Sequence, residues 1–389
     1  MSKKVLMFST AYYPFVGGAE VAVKEITDRL TDIEFHMITA KMDKNLAQKE
    51  KIGNITVFRV GIGHPMVDKV FFAFFGQYMA KKLNKQGNYD SIWAIMASYA
   101  GLAASKFKKS NPQVPFLLTL QEGDSQKYIQ KRTKFIKGQF ENIFKRADQI
   151  QCISNYLADW AKTLGAQCPI EVIPNGVDIK VFSQTSSIKD LRKLEQELGK
   201  QLEDRFIIHT GRLTYKNGLD YLIKALTYLP DNIKLILIGD GEDKTNLEKI
   251  TTERNLEDRV IFISYIKQDE LVKYLKISDI FIRPSLSEGL GNSFLEAMIT
   301  KTPVIATSVG GIPDFLKDNE TGLFCQVKDP ESIAEKVKFL LGNQDLRDRV
   351  VKQAYQMVVK EYDWEKIARE MKEMILFTNR EKLYDAKER

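Results

Sequence analysis

Residues 280–307 read IFIRPSLSEGLGNSFLEAMITKTPVIAT. The apolar run at Ile280–Arg283 has the composition of a buried strand, and Pro303–Thr307 has it again. Between them, Gly289, Leu290, Gly291 and Asn292 read as a tight turn opening a helix. Strand, glycine turn, helix and strand within about 30 residues is the plan of a βαβ unit with parallel strands.

Two glutamates, Glu288 and Glu296, stand eight positions apart in this stretch. Eight residues of helix rise roughly 12 Å, about the reach from the hexose to the ribose of a sugar nucleotide. Unpaired N–H groups at a helix start suit an anion such as a diphosphate, and carboxylates accept hydrogen bonds from sugar hydroxyls. A solvated helix face is the plain alternative for an isolated pair. Only the rest of the chain can decide between them.

The same alternation extends outward in two rounds, which predicts α/β architecture with two doubly wound, Rossmann-like domains. The first round has candidate strands Val5–Ser9, Glu34–Thr39, Ile55–Val60, Ser91–Met96, Phe116–Thr119 and Gln149–Ile153. The second has Phe206–Thr210, Lys234–Ile238 and Val260–Ile263 ahead of the two strands of the opening stretch. The Pro-Asn-Gly break in IEVIPNGVD marks the boundary. The expected domains are therefore 1–172 and 173–360, with a C-terminal helix in 361–389 crossing back to the first. Ligands of such domains bind at the C-terminal strand ends, so the chemistry is expected to use loops from both.

Composition agrees with a folded protein: 389 residues, 44% hydrophobic and 28% charged, long enough for two cores. No apolar run is long enough to span a bilayer, and MSKKVLMFST reads as a first strand rather than a leader. Three cysteines offer neither a disulfide framework nor metal-ligand spacing, which points to a cytoplasmic protein. The net charge is +7, and residues 1–180 hold 25 Lys/Arg against 16 Asp/Glu, while the remainder holds 33 against 35. A basic first half predicts an anionic partner.

Several turns could carry chemistry. Gly17 and Gly18 follow the first strand, where a glycine pair lets backbone approach a phosphate. Arg212 and Lys216 follow strand Phe206–Thr210 and could hold a diphosphate, although surface charges flanking a turn are the simpler explanation. Gly239-Asp240-Gly241 lacks the third glycine of a dinucleotide fingerprint and reads as structural. Val309–Asp314 has the same layout, and shaping the same crevice or a purely structural role fits it equally. The histidines His36, His64 and His209 read as structural.

Together these segments resemble family 4 of the retaining glycosyltransferases, whose fold is the two-Rossmann-domain GT-B architecture, the domains facing across a cleft. The resemblance runs through PFVGGAE, IPNGVD, GRLTYKNGLDYLIKA, LILIGDGED, DIFIRPSLSEGLGNSFLEAM, PVIATSVGGIPDFL and TGLFCQVKDPESIA. It implies that Glu288 contacts donor-sugar hydroxyls, that Glu296 holds the ribose, and that backbone at Gly289, Leu290, Gly291 and Asn292 meets sugar and diphosphate. It further implies that Arg212 neutralises the diphosphate, with Gly17 and Gly18 closing on it from the first domain. Two departures stand out. The family's lysine before the glycine at Gly218 is here Asn217, with Lys216 one position earlier. The acceptor-side histidine segment is here Thr119–Asp124 without histidine, leaving Glu122 and Asp124 to orient a hydroxyl.

The implied activity is metal-independent transfer of a hexose, with retention, from a nucleotide-diphosphate sugar to a glycan or lipid-linked hydroxyl. No separate cofactor is expected, and there is no Asp-x-Asp element. A glycoside phosphorylase on the same fold and a catalytically silent sugar-nucleotide binder are the rivals. Residues 126–146 combine seven Lys/Arg with Tyr128, Phe135, Ile136, Phe140, Ile143 and Phe144, and 70–83 read VFFAFFGQYMAKKL. Each could lie on an anionic membrane surface at the inner face, or pack its apolar side on the sheet. Nucleic acid is not an expected partner.

Overall fold

The computed structural model describes residues 2–378. The chain divides into two units: one runs to Asn175 and resumes at Trp364, the other spans Gly176–Asp363. The breaks thus fall at 175/176 and 363/364 rather than 172/173 and 360/361. Residues 379–389 of the expected C-terminal helix lie outside the described residues.

The first unit is built on strands β1 (Lys3–Phe8), β2 (Ile33–Ala40), β3 (Lys49–Ile52), β4 (Ile55–Val60), β5 (Ser91–Ile95), β6 (Phe116–Leu120), β7 (Gln149–Cys152) and β8 (Ile170–Val172). Their order in the sheet is β3-β4-β2-β1-β5-β6-β7-β8. All pairs are parallel except β3 with β4, a short antiparallel edge. The central strands are apolar on both faces because helices cover both. On one face α1 (Gly18–Arg29) packs with helix Trp364–Leu376, burying Val23, Ile26, Trp364, Ile367 and Met371. That returning helix is tied down by Ser91 Oγ donating to Ile375 O (2.6 Å) and by Lys372 with Asp32 (2.6 Å). The opposite face carries α2 (Pro65–Gly87), α3 (Tyr99–Ser110), α4 (Gln126–Thr133) and α5 (Lys137–Arg146), with α3 packed between α2 and α5.

The second unit has β9 (Arg205–Thr210), β10 (Ile233–Ile238), β11 (Val260–Ile263), β12 (Ile280–Arg283), β13 (Val304–Thr307) and β14 (Leu323–Cys325). The order is β11-β10-β9-β12-β13-β14, parallel throughout. This is the doubly wound order of a dinucleotide-type domain, in which connections reverse direction between the first and fourth strands. That reversal lies between β9 and β12. Loops leaving their C-terminal ends diverge and open a crevice there.

Candidate active site

The second unit places four expected residues at this reversal. Arg212, exposed, and Lys216, half-buried, lie in the connection after β9. Glu288 lies in the connection after β12, and Glu296 is in the helix Asn292–Ile299 that follows. The two connections are bonded to each other: Leu286 N–H donates to Lys216 O at 2.7 Å. The helix begins at Asn292, so Glu288 precedes it by four residues. The eight-residue spacing is therefore not a helical rise, as the sequence reading assumed. Loop followed by helix sets the separation.

Glu288 is 7% exposed. Its Oε1 accepts the N–H of Gly289 (3.0 Å), so that donor is already used internally. Its Oε2 pairs with Arg283 Nη2 at 2.6 Å. Arg283 was not among the residues singled out from sequence. Its guanidinium also donates from Nη2 to Asn217 Oδ1 (2.8 Å) and from Nη1 to Ser293 Oγ (3.1 Å), and it lies over the Phe294 ring. Asn217 in turn donates to Arg212 O (2.6 Å). The position that departs from the family pattern thus links the Arg212 loop to the Glu288 loop through Arg283. A lysine at 217 would set a second cation against that guanidinium, whereas the neutral amide accepts from it.

Arg283 acts on both carboxylates. Desolvation pushes the Glu296 carboxyl up to about 7, with Arg283 pulling the other way. Burial, with Arg283 adding to it, holds the enclosed His209 well below the ordinary histidine range and hence neutral. The only sequence signal for Arg283 was a cation ending an otherwise apolar strand directly ahead of the motif.

Two glycine turns brace these loops. Gly239 has φ +138°, and a Cβ there would lie 2.0 Å from Gly211 O; next to it, Leu213 N–H donates to Asp240 O (3.0 Å). Gly310 has φ +57°, and its Cβ would lie 1.8 Å from Glu288 O, while Gly311 N–H donates to the same oxygen (3.2 Å). Both turns therefore hold the Arg212 and Glu288 connections from behind.

In the first unit, Gly17 and Gly18 follow β1 and open α1. Gly17 N–H is taken by Glu20 Oε2 (2.8 Å), whereas a Cβ at Gly18 would meet nothing within 4 Å. Buried Arg59 steadies this loop by donating to Tyr13 O (2.8 Å). Glu122 is buried, and its Oε1 accepts Ala97 N–H at 2.6 Å. Its carboxyl is pushed up to about 7, chiefly by burial. Glu122 therefore joins the β5 and β6 connections, while Asp124, two residues on, is exposed. His36 binds Tyr89 (2.6 Å) and Glu34 (3.0 Å), a packing role. Among the described residues no three His, Cys, Asp or Glu side chains gather as metal ligands.

Two family models match: "Glycosyltransferase Family 4" over residues 16–181 and "Glycosyl transferases group 1" over residues 190–357. An uncharacterized glycosyltransferase of Methanocaldococcus jannaschii is 28% identical over 94% of this chain and 96% of its own length. The lipopolysaccharide core biosynthesis glycosyltransferase LpsE of Rhizobium meliloti is 30% identical over 58% of this chain and 63% of its own. Among solved structures, Anabaena HepE in complex with UDP-glucose superposes with a TM-score of 0.78 at 20% identity, covering 96% of this chain and 99% of that one. That likeness speaks to the fold, two parallel-sheet Rossmann-like units of GT-B type. With both halves matched and the motif loops on adjacent strands of a doubly wound sheet, the chain belongs to the group 1, family 4 glycosyltransferases.

Proposed function

We propose that this glycosyltransferase moves a hexose, with retention of configuration, from a nucleoside-diphosphate sugar to a hydroxyl of a glycan or lipid-linked acceptor. The observation that carries the reading is the bonding of the Arg212–Lys216 connection to the Glu288 connection at the strand-order reversal. There, cations that suit a diphosphate and carboxylates that suit hydroxyls leave neighbouring strands. Glu288 accepts from donor-sugar hydroxyls and Glu296 from the ribose. Arg212 and Lys216 neutralise the diphosphate, helped by backbone donors at Gly18 and along Leu290–Asn292, with Gly17 and Gly289 shaping the glycine turns.

In the reaction the bond from the anomeric carbon to the leaving phosphate oxygen breaks. The acceptor oxygen bonds to the same face, and its proton passes to that phosphate oxygen as the nucleoside diphosphate departs. Asp124 orients the acceptor hydroxyl. Charge developing on the leaving group meets Arg212, so no metal ion is required. The relative named for lipopolysaccharide core biosynthesis and the neighbour solved with UDP-glucose support a UDP-sugar donor and a place in cell-surface glycan assembly; we place that work at the cytoplasmic face of the membrane.

The test is product analysis by NMR across UDP- and GDP-sugars, with and without chelator. Retained anomeric configuration and chelator-insensitive turnover are expected, and Arg212→Ala should lower kcat by about 10²–10³. Inversion, or wild-type rates in the variant, would sink the assignment. Turnover with inorganic phosphate alone would favour a phosphorylase.

A further inference from the structure

Helix α2 is packed inside out. The side facing the protein carries Ala73, Gly76 and Ala80 beside Phe72 and Leu83, and a Cβ on Gly76 would come within 3.3 Å of the Ala103 Cβ on α3. Small residues let the two helices approach closely. The large apolar side chains are left on the outer side: Met66, Val70, Phe71, Phe74, Phe75 and Tyr78 are all exposed. Their spacing keeps them on one helical stripe. Phe71 and Phe75 stack at 4.4 Å, with Tyr78 next in line, 6.0 Å from Phe75.

Cations rim this stripe. Lys106 of α3 places Nζ 3.7 Å from the Phe74 ring centre and Lys81 lies over Tyr78. Lys82 and Lys85 extend beyond. On the same helix layer, across α3, α4 buries no residue. It leads through a turn in which Phe135 is 93% exposed, flanked by exposed Lys127, Lys131, Arg132, Lys134 and Lys137. By sequence alone, both segments fit either a membrane surface or the core. The structure divides the second: Phe140, Ile143 and Phe144 are core, while Tyr128, Phe135 and Ile136 are not.

A contiguous aromatic stripe ringed by lysine is the chemistry of an interfacial contact with anionic lipid: rings at the headgroup level, ammonium groups on phosphates. We propose that the outer side of α2, with the basic α4 segment beyond α3, docks this unit on an anionic bilayer. A lipid-linked acceptor would be met there. That last point alone rests on the proposed activity, since binding is read without turnover.

The experiment is co-sedimentation with phosphatidylcholine vesicles and with phosphatidylcholine–phosphatidylglycerol vesicles. Wild type should partition onto the mixed vesicles and much less onto the neutral ones. The triple variant Phe71→Ser, Phe74→Ser, Phe75→Ser should lose at least roughly tenfold in partitioning, with an unchanged melting temperature because the rings are exposed. Replacing Lys127, Lys131, Arg132 and Lys134 by Gln should cost roughly fivefold per charge on the mixed vesicles only. Equal binding by wild type and the triple variant would overturn the proposal. So would absence of binding to either vesicle, or light scattering that shows a dimer through this stripe.

Discussion

Arg283 is the residue on which the candidate site turns. Its side chain is largely enclosed and meets Glu288, Asn217 and Ser293. Removing one member of a buried ion pair strands the other, typically at about 3–5 kcal/mol. Arg283→Met should therefore lower stability by about that much, read by urea denaturation. It should also weaken donor binding, because Glu288 loses the partner that orients it. Arg283→Lys should recover part of the stability and less of the binding, since one ammonium cannot reproduce the planar fork. Equal donor affinity in all three proteins would show that Arg283 only packs. The same pair bears on how Glu288 is tested: Glu288→Ala strands a guanidinium, so Glu288→Gln separates catalysis from folding. Arg283 escaped the sequence reading because its partners sit 66, 10 and 5 positions away; the turn after β12 brings Glu288 and Ser293 back to it, and the adjacency of β9 and β12 brings Asn217.

At the scale of elements, the site consists of connections held from behind by glycine turns. Val309–Asp314 read as equally structural or ligand-facing in sequence. Its contact with the Glu288 carbonyl gives it a bracing role. Gly310→Ala adds a methyl group where the backbone has φ +57° and where Glu288 O lies 1.8 Å from the ideal Cβ. The Glu288 connection must move, so a loss of about 2–4 kcal/mol is expected, together with weaker donor binding in calorimetry. Gly342→Ala, at a helix end with nothing within 4 Å, is the control and should change stability by less than about 1 kcal/mol. A Gly310→Ala protein as stable as the control would disprove the bracing role. The strands legible in sequence were the apolar runs, four of them only four residues long. Those missed are the polar Lys49–Ile52 and the three-residue Ile170–Val172 and Leu323–Cys325, none of which shows an apolar run or a period of two. They exist because a neighbouring strand offers them backbone partners.

On the scale of the whole molecule, each unit holds one carboxyl pushed up to about 7: Glu122 in the first and Glu296 in the second. Both are raised by desolvation from 4.5. Between about pH 5 and pH 7 the folded chain keeps protons that the unfolded chain has released. Stability therefore falls as pH rises through that window and levels off above it, by up to roughly 1.4 kcal/mol per pH unit for each group. Asp68, Asp90 and Asp204, held below the usual carboxylate range, act in the opposite sense only at lower pH. The double variant Glu122→Gln, Glu296→Gln should flatten the decline, measured by urea denaturation at several pH values. A profile as steep as wild type would show that neither carboxyl is protonated in the fold.

The sequence by itself determined the family and the strand–helix alternation, and it singled out the candidate residues for diphosphate and hydroxyls, because these readings depend on local patterns: apolar runs, glycine turns, and cations or carboxylates at strand ends. Tertiary structure decided what those residues lean on. It set the Glu288–Glu296 separation by loop and helix together, tied Glu288 to Arg283 and through it to Asn217, turned the glycine turns into braces, and sorted the aromatics of 126–146 into buried and exposed. Each of these depends on which strands and helices become neighbours. Burial and pairing across a sheet are properties of the packed chain and have no period along it.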